Sequence, residues 1–186
     1  MQMDKATIRD KILNIRSAMP ESECLEKSAA ILKKLDKLDA FLRAWKVGLY
    51  ASTGNEVITY PLIGRAMMLD KGVAFPYIAS ASEQEMVFKY ILSVTDLKPG
   101  PFKLLQPGAN ATVMEMPDVI IMPLVAFDAD KNRIGHGGGY YDRYLKSHPA
   151  SFKIALAYEC QRVDTIEAKS HDIRPDLIIT EEKIYE

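Results

Sequence analysis

Val119-Ile-Ile-Met122 leads, through Pro123 to Asn132, into Arg133-Ile-Gly-His-Gly-Gly-Gly-Tyr-Tyr-Asp-Arg143. The first run is short and wholly apolar, the pattern of a strand buried on both faces. In the second, four glycines fall among five consecutive positions, Gly135 and Gly137 to Gly139. Glycine is costly in entropy, so such a run marks a backbone that bends unusually or lies close to something. Tyr140 to Lys146 then reads as a helix. A glycine run that opens into a helix has a specific use. Its free N–H groups and the positive end of the helix dipole converge on one point, where an anion such as a phosphate can sit.

The rest of the chain repeats the alternation of strand and helix. Asp4 is placed to cap a helix reaching Ala18, with Ile8, Ile12 and Ile15 on one face and Lys5 beside Arg9, four residues apart, on another. Met19-Pro20-Glu21 breaks that helix, and Leu25, Leu32, Leu35 and Leu38 space a second. Trp45 to Ala51 alternates as a strand, Pro61 opens a helix that ends near Gly72, and Val73-Ala-Phe75 starts another strand. Further strands are expected at Met86 to Leu92, Lys153 to Tyr158 and Leu177 to Thr180. Residues 95–117, rich in proline and glycine, read as a long irregular connection. With no repeat, low-complexity tract or boundary signal, one α/β domain over 1–186 with a largely parallel sheet is expected.

Hydrophobic residues at 48% and charged residues at 26% describe an ordinary globular chain. A formal net charge of -1 gives no global pull toward nucleic acid or a membrane surface, so an anion site must come from local clustering. Cys24 and Cys160 have neither metal-ligand spacing nor a disulfide framework. Together with the absence of a signal peptide or long apolar span, they point to the cytoplasm.

The glycine loop fits neither common phosphate motif. No lysine follows it as a Walker loop requires, and a Gly-x-Gly-x-x-Gly reading from Gly135 would end on Tyr140. A plain strand-to-helix turn and an anion nest both satisfy the glycines. The flanks favour the nest. Arg133 can fork onto phosphate oxygens, and Lys131 and Arg143 bracket the loop. Asp142 would repel a polyphosphate unless a divalent cation bridged them, and Mg²⁺ uses one or two carboxylates together with phosphate oxygens. The loop and Asp142 therefore make sense together as a Mg-nucleotide site. His136 reads equally as a solvent-facing loop residue or a phosphate contact, and His148 as surface.

The segment Met122-Pro-Leu-Val-Ala-Phe-Asp128, followed by Asn132-Arg-Ile-Gly-His-Gly-Gly-Gly-Tyr-Tyr-Asp-Arg-Tyr-Leu145, resembles the signature of the 5-formyltetrahydrofolate cyclo-ligases, also called 5,10-methenyltetrahydrofolate synthetases. The resemblance extends to Lys5-x3-Arg9, Glu56-Val-Ile-Thr59, Phe75-Pro76, Ala155-Leu-Ala-Tyr158 with Gln161, and His171-Asp172 followed by Asp176. Ile134 replaces a usual leucine, and Gly138 stands where some members carry lysine.

The resemblance implies a three-layer α/β/α sandwich akin to the sugar-phosphate isomerase and CoA transferase-like fold. It implies an ATP- and Mg²⁺-dependent conversion of 5-formyltetrahydrofolate into 5,10-methenyltetrahydrofolate, through a phosphorylated formyl oxygen. Lys5, Arg9, Arg133, Ile134, Gly135, His136, Gly137, Gly138, Gly139, Tyr140 and Tyr141 then match the nucleotide site, with Arg133 stabilising the transferred group. Asp142 and Asp172 match the metal positions, and Ala51, Glu56 and Tyr140 the folate site. Read alone, Lys5 and Arg9 are a solvated face, Asp172 a turn residue before Pro175, Glu56 a loop carboxylate after Gly54-Asn55, and the two tyrosines packed aromatics. The expected partner is the small-molecule folate, without nucleic acid or membrane, in a monomer or weak homo-oligomer. Two other readings stand beside this one. An isomerase-like enzyme on the same fold would need neither ATP nor Mg²⁺, and a binding-only module would not need the metal carboxylates.

Overall fold

The computed structural model describes residues 3–80, 82 and 84–186. In chain order its first half holds α1 (Lys5–Ser17), α2 (Glu21–Leu35), α3 (Asp39–Arg43), β1 (Lys46–Gly48), α4 (Tyr60–Met68), β2 (Gly72–Tyr77) and β3 (Val87–Ile91). The two-residue strands β4 (Lys98–Pro99), β5 (Leu105–Gln106) and β6 (Val113–Met114) follow, then β7 (Val119–Pro123), β8 (Ala126–Phe127) and β9 (Arg133–Ile134). The chain closes with α5 (Tyr140–Ser147), β10 (Phe152–Leu156), β11 (Leu177–Ile179) and β12 (Ile184–Tyr185).

Eight strands form the main sheet in the order β12-β11-β10-β7-β1-β2-β3-β6. Its centre, from β11 to β2, is parallel, and the pairings outside it are antiparallel. The apolar run Val119 to Met122 lies in the middle of this sheet, fully buried as its lack of alternation requires. Val119 and Ile121 pack with Val47, Ile154 and Leu156 against Ile31, Leu35, Leu62 and Ile63 of α2 and α4. Ile120 and Met122 face the other way, joining Ala155 and Ile178 beneath Tyr144 and Leu145 of α5. Helices thus cover both faces of a largely parallel sheet. α1 lies apart from both layers, its Ile8 and Ile12 closing a smaller cluster with Val125, Ala126, Ile134 and Ile166.

Asp4 caps α1 as expected, accepting from the Thr7 amide at 2.8 Å. Ile15, however, is 41% exposed. The inward stripe follows the four-residue spacing Ile8, Ile12, Arg16, so a cation takes the place given to Ile15. Leu25 is likewise exposed, and α2 buries Cys24, Ser28, Ile31 and Leu35 instead. Leu38 lies beyond α2, at the cap of the separate short helix α3. Pro61 is the second residue of α4, not the first. The 95–117 connection contains the β4–β5 hairpin and β6, which extends the sheet by pairing Phe88 with Met114. Among the described residues no helix is long and apolar enough to cross a membrane.

Candidate functional site

The strand order reverses direction between β1 and β7. From β1 the chain moves to β2 on one side, and from β7 to β10 on the other. In open α/β sheets the crevice at the carboxyl ends of two such strands is where ligands bind. Two loops flank it here, residues 49–59 after β1 and the glycine loop that follows β9.

The first loop is closed on itself. The Ser52 amide donates to Thr59 Oγ1 at 3.3 Å, the Thr59 amide returns to Ser52 Oγ at 3.2 Å, and Thr59 Oγ1 donates to the Tyr50 carbonyl at 2.6 Å. Ala51 is buried at its neck. Asn55 fastens the loop to the end of α1, its Nδ2 donating to the Arg16 and Met19 carbonyls at 2.9 and 3.1 Å. Glu56 is only 6% exposed. Its Oε2 accepts from the Thr53 amide at 2.9 Å, and its Oε1 lies 3.0 Å from His136 Nε2 of the glycine loop. The loop histidine thus meets a carboxylate.

In the glycine loop Gly137 and Gly139 have φ of 102° and 66°, conformations that L side chains rarely adopt. No acceptor among the described residues takes the amide N–H groups of residues 135–139. Gly139 caps α5 without a side-chain bond, so the helix end remains open to an anion. Arg9 reaches this loop from α1, donating through Nε to the Gly135 carbonyl at 2.8 Å. Its guanidinium carbon lies 3.7 Å from where a Cβ of Gly137 would stand. Lys5, one turn earlier, forms an ion pair with Asp172.

Behind the loop Arg133 is almost wholly buried, its Nη2 2.5 Å from Asp142 Oδ1. Arg133 Nε donates to the Ile173 carbonyl at 3.0 Å, and the Ile173 amide donates to the same Asp142 oxygen at 2.9 Å. Arg133 and Asp142 thus hold the backbone of Ile173, the residue next to Asp172. Burial pulls the Arg133 guanidinium below its ordinary value, against the charges of Asp142, Asp172 and Tyr141. Burial opposes ionisation of Asp172 too, but the hydrogen bonds from Lys5 and the Lys169 amide win and lower it. Burial pushes the Tyr141 hydroxyl up, the Glu56 charge adds to this, and Arg133 counters it. That hydroxyl is sealed from solvent and has no hydrogen-bond partner among the described residues.

Other residues turn elsewhere. Ile134 packs inward under α1 and its carbonyl accepts from Val125 at 2.7 Å, so its side chain faces away from the loop's open side. Lys131 donates to the Asp176 carbonyl at 3.0 Å. Arg143 lies over the loop, donating to the carbonyls of Gly138 and Gln84, each at 2.7 Å. Tyr140 packs between Arg143 and Phe102. His148 stacks on Tyr144 instead of standing free at the surface.

These loops gather a buried carboxylate, free amides, three cations and two further carboxylates at one crevice. A model of the 5-formyltetrahydrofolate cyclo-ligase family matches residues 1–181. The chain belongs to that family. It is accordingly an enzyme, a ligase. The Haemophilus influenzae 5-formyltetrahydrofolate cyclo-ligase is 29% identical over 171 residues, covering 89% of this chain and 91% of that protein. The Mycoplasma pneumoniae cyclo-ligase is 30% identical over 188 residues, 97% of this chain and all of that one (100%). The NMR structure of Aquifex aeolicus 5,10-methenyltetrahydrofolate synthetase superposes with a TM-score of 0.86 at 29% identity, covering 98% of this chain and 92% of that one.

The donors of this cyclo-ligase suit Mg²⁺ with a nucleotide better than a cation held by protein alone. Among the described residues no three histidine, cysteine or acidic side chains converge as a metal cluster. Two carboxylates stand near Arg133, Asp142 paired with it and Asp172 acting on its charge, and Asp142 keeps Oδ2 free of any hydrogen bond among the described residues. That number suits Mg²⁺, which completes its shell with phosphate oxygens and water. Sequence reasoning missed the contact of His136 with Glu56, for which no local spacing gives a signal.

Proposed function

We propose that this cyclo-ligase closes 5-formyltetrahydrofolate to 5,10-methenyltetrahydrofolate, using ATP and Mg²⁺ and releasing ADP and phosphate. A formamide oxygen is a poor leaving group. Transfer of the γ-phosphoryl group to that oxygen gives an imidate phosphate. The neighbouring folate nitrogen attacks its carbon, the five-membered ring closes, and the oxygen departs with the phosphate.

The free amides of residues 135–139, with Lys5 and Arg9, hold the triphosphate. Arg133 stabilises the transferred group as charge develops on it. Asp142 and Asp172 hold Mg²⁺, which when bound neutralises phosphate charge. Both carboxylates are paired with cations in the free protein. With a metal held by the two carboxylates, Lys5 and Arg133 would be left to neutralise phosphate. Glu56 accepts two parallel N–H donors from the pterin edge, beside Ala51, and Tyr140 and Tyr141 cover the reactants. We also read residues 1–186 as one domain acting in the cytoplasm.

What carries this reading is the joining of α1, the glycine loop, Asp142 and Asp172 through Arg9, Lys5 and Arg133. Purified protein given 5-formyltetrahydrofolate should develop the methenyl absorbance only when ATP and Mg²⁺ are both present. Absorbance without either, or none with both, would end the assignment.

A further inference from the structure

His136 is the only residue of 135–139 with a side chain, and that side chain crosses the crevice to Glu56. Its Nε2 lies 3.0 Å from Glu56 Oε1. A carboxylate can only accept, so the proton is on Nε2 and His136 donates. In its neutral form the ring carries a single N–H, and spending it on Glu56 leaves none for a phosphate. The histidine side chain is 52% exposed and that of Glu56 only 7%. The bond therefore reaches a largely desolvated acceptor, unlike a contact between two solvated surface groups.

Glu56 is held from several sides. Its amide donates to the Thr53 carbonyl at 3.1 Å and its carbonyl accepts from Tyr158 Oη at 3.0 Å, which fixes the backbone. At the carboxylate, Oε2 accepts from the Thr53 amide at 2.9 Å, with the Thr53 hydroxyl a looser neighbour at 3.4 Å. Among the described residues Oε1 accepts from His136 alone. A carboxylate offers about four acceptor positions, shared equally by its oxygens. One strong donor on each oxygen fixes the plane of the group and leaves each oxygen able to accept again. Two parallel N–H donors require that arrangement.

We infer that His136 is a positioning residue, which orients the Glu56 carboxylate for the pterin donors and makes nucleotide and folate binding depend on each other. This rests on the nucleotide and folate readings above. The backbone of His136 belongs to the loop whose amides would take phosphate, and Arg9 holds that loop at the Gly135 carbonyl. Beyond His136 the loop is glycine, with Gly137 and Gly139 at positive φ, so its course depends on contacts from outside. Phosphate seated on the amides fixes the loop, the loop fixes the imidazole, and the imidazole fixes the carboxylate. By linkage each ligand then tightens the other by the same factor.

The test is isothermal titration of 5-formyltetrahydrofolate into the full chain. It is run with and without the Mg²⁺ complex of the β,γ-imido analogue of ATP, which resists phosphoryl transfer. Wild type should bind the folate about fivefold or more tightly when the analogue is present. His136→Ala should bind it about fivefold or more weakly than wild type, and the analogue should no longer change that affinity. His136→Gln keeps an N–H donor of similar reach and should restore both values toward wild type. Coupling that is missing in wild type, or that survives in His136→Ala, would overturn the inference. So would folate affinity that His136→Ala leaves unchanged or raises. Melting temperature lowered equally in both variants, with the coupling lost in both, would make His136 structural and overturn it too. If wild-type protein binds no folate or no analogue, the reading beneath the inference fails, and that failure is visible before any variant is made.

Discussion

Two carboxylates of the same signature, Asp128 in the β8–β9 turn and Asp142 on the first turn of α5, are treated oppositely by the fold. Asp128 is buried, and its neighbours satisfy it completely. Oδ1 accepts from the Asp130 and Asn132 amides at 3.0 and 2.9 Å, and Oδ2 from Asn132 Nδ2 and the Ile166 amide, both at 2.8 Å. Nothing remains on it for a ligand. Asp142 spends one oxygen on Arg133 and the Ile173 amide, and the other has no hydrogen bond among the described residues. A carboxylate ringed by amides of its own segment builds the turn. One held by a buried cation, with an oxygen left over, is available for chemistry.

Exchanging each carboxylate should separate these uses. Asp142→Asn keeps an acceptor for Arg133 and Ile173 but removes a charged metal ligand. We expect activity to fall by about 100-fold or more, with weakened Mg-nucleotide affinity in a titration. The loss of stability should be small, because Asp172 also acts on Arg133 and keeps part of its charge compensated. Affinity equal to wild type would remove Asp142 from the metal site. Asp128→Ala strands three amides and the Asn132 side chain, so unfolding free energy in urea should drop by about 3 kcal/mol. Activity per folded molecule should stay close to wild type. A folded but inactive Asp128→Ala would break the comparison.

The comparison also marks how far the sequence could be read. β7 and α5 were legible because an apolar run and a helix after glycines need only local information. So was the proximity of Lys5 to Arg9, which is fixed by helical spacing. That Arg9 would meet Gly135, Lys5 meet Asp172 and His136 meet Glu56 was not legible. Each pair is brought together by tertiary packing between residues 80 or more positions apart. The misplacement of Ile15 has a related cause. Three isoleucines on one helix suggest one face, yet four-residue spacing from Ile12 selects Arg16, and hydrophobicity alone argues against a cation there.

Acid should reach the Lys5–Asp172 pair only at low pH. The folded Asp172 carboxyl titrates below its ordinary value, since its bonds from Lys5 and Lys169 outweigh burial. A depressed folded pKa contributes stability that is complete above the unfolded value of 3.8 and is lost as pH falls through the folded one. Thermal melts of wild type and Asp172→Asn should therefore differ near neutrality and converge in strong acid. A gap that persists there would mean the pair contributes through packing and not charge.

The smallest effect concerns Gly138, where some members of the family carry lysine. A Cβ there would come within 2.8 Å of the Tyr140 ring, which packs against Phe102 and lies beneath Arg143. The Gly138 φ is not in the left-handed region, so the obstacle is the ring and not the backbone. Glycine and this tyrosine placement are thus one choice, and Arg143 carries the positive charge over the loop that a lysine would otherwise bring. Gly138→Lys should cost stability with Tyr140 present and much less in a Tyr140→Ala background. The double-mutant cycle should show a coupling of about 0.5 kcal/mol or more. Additive costs would mean that the ring yields freely, and that position 138 is glycine for the sake of what approaches the loop from outside.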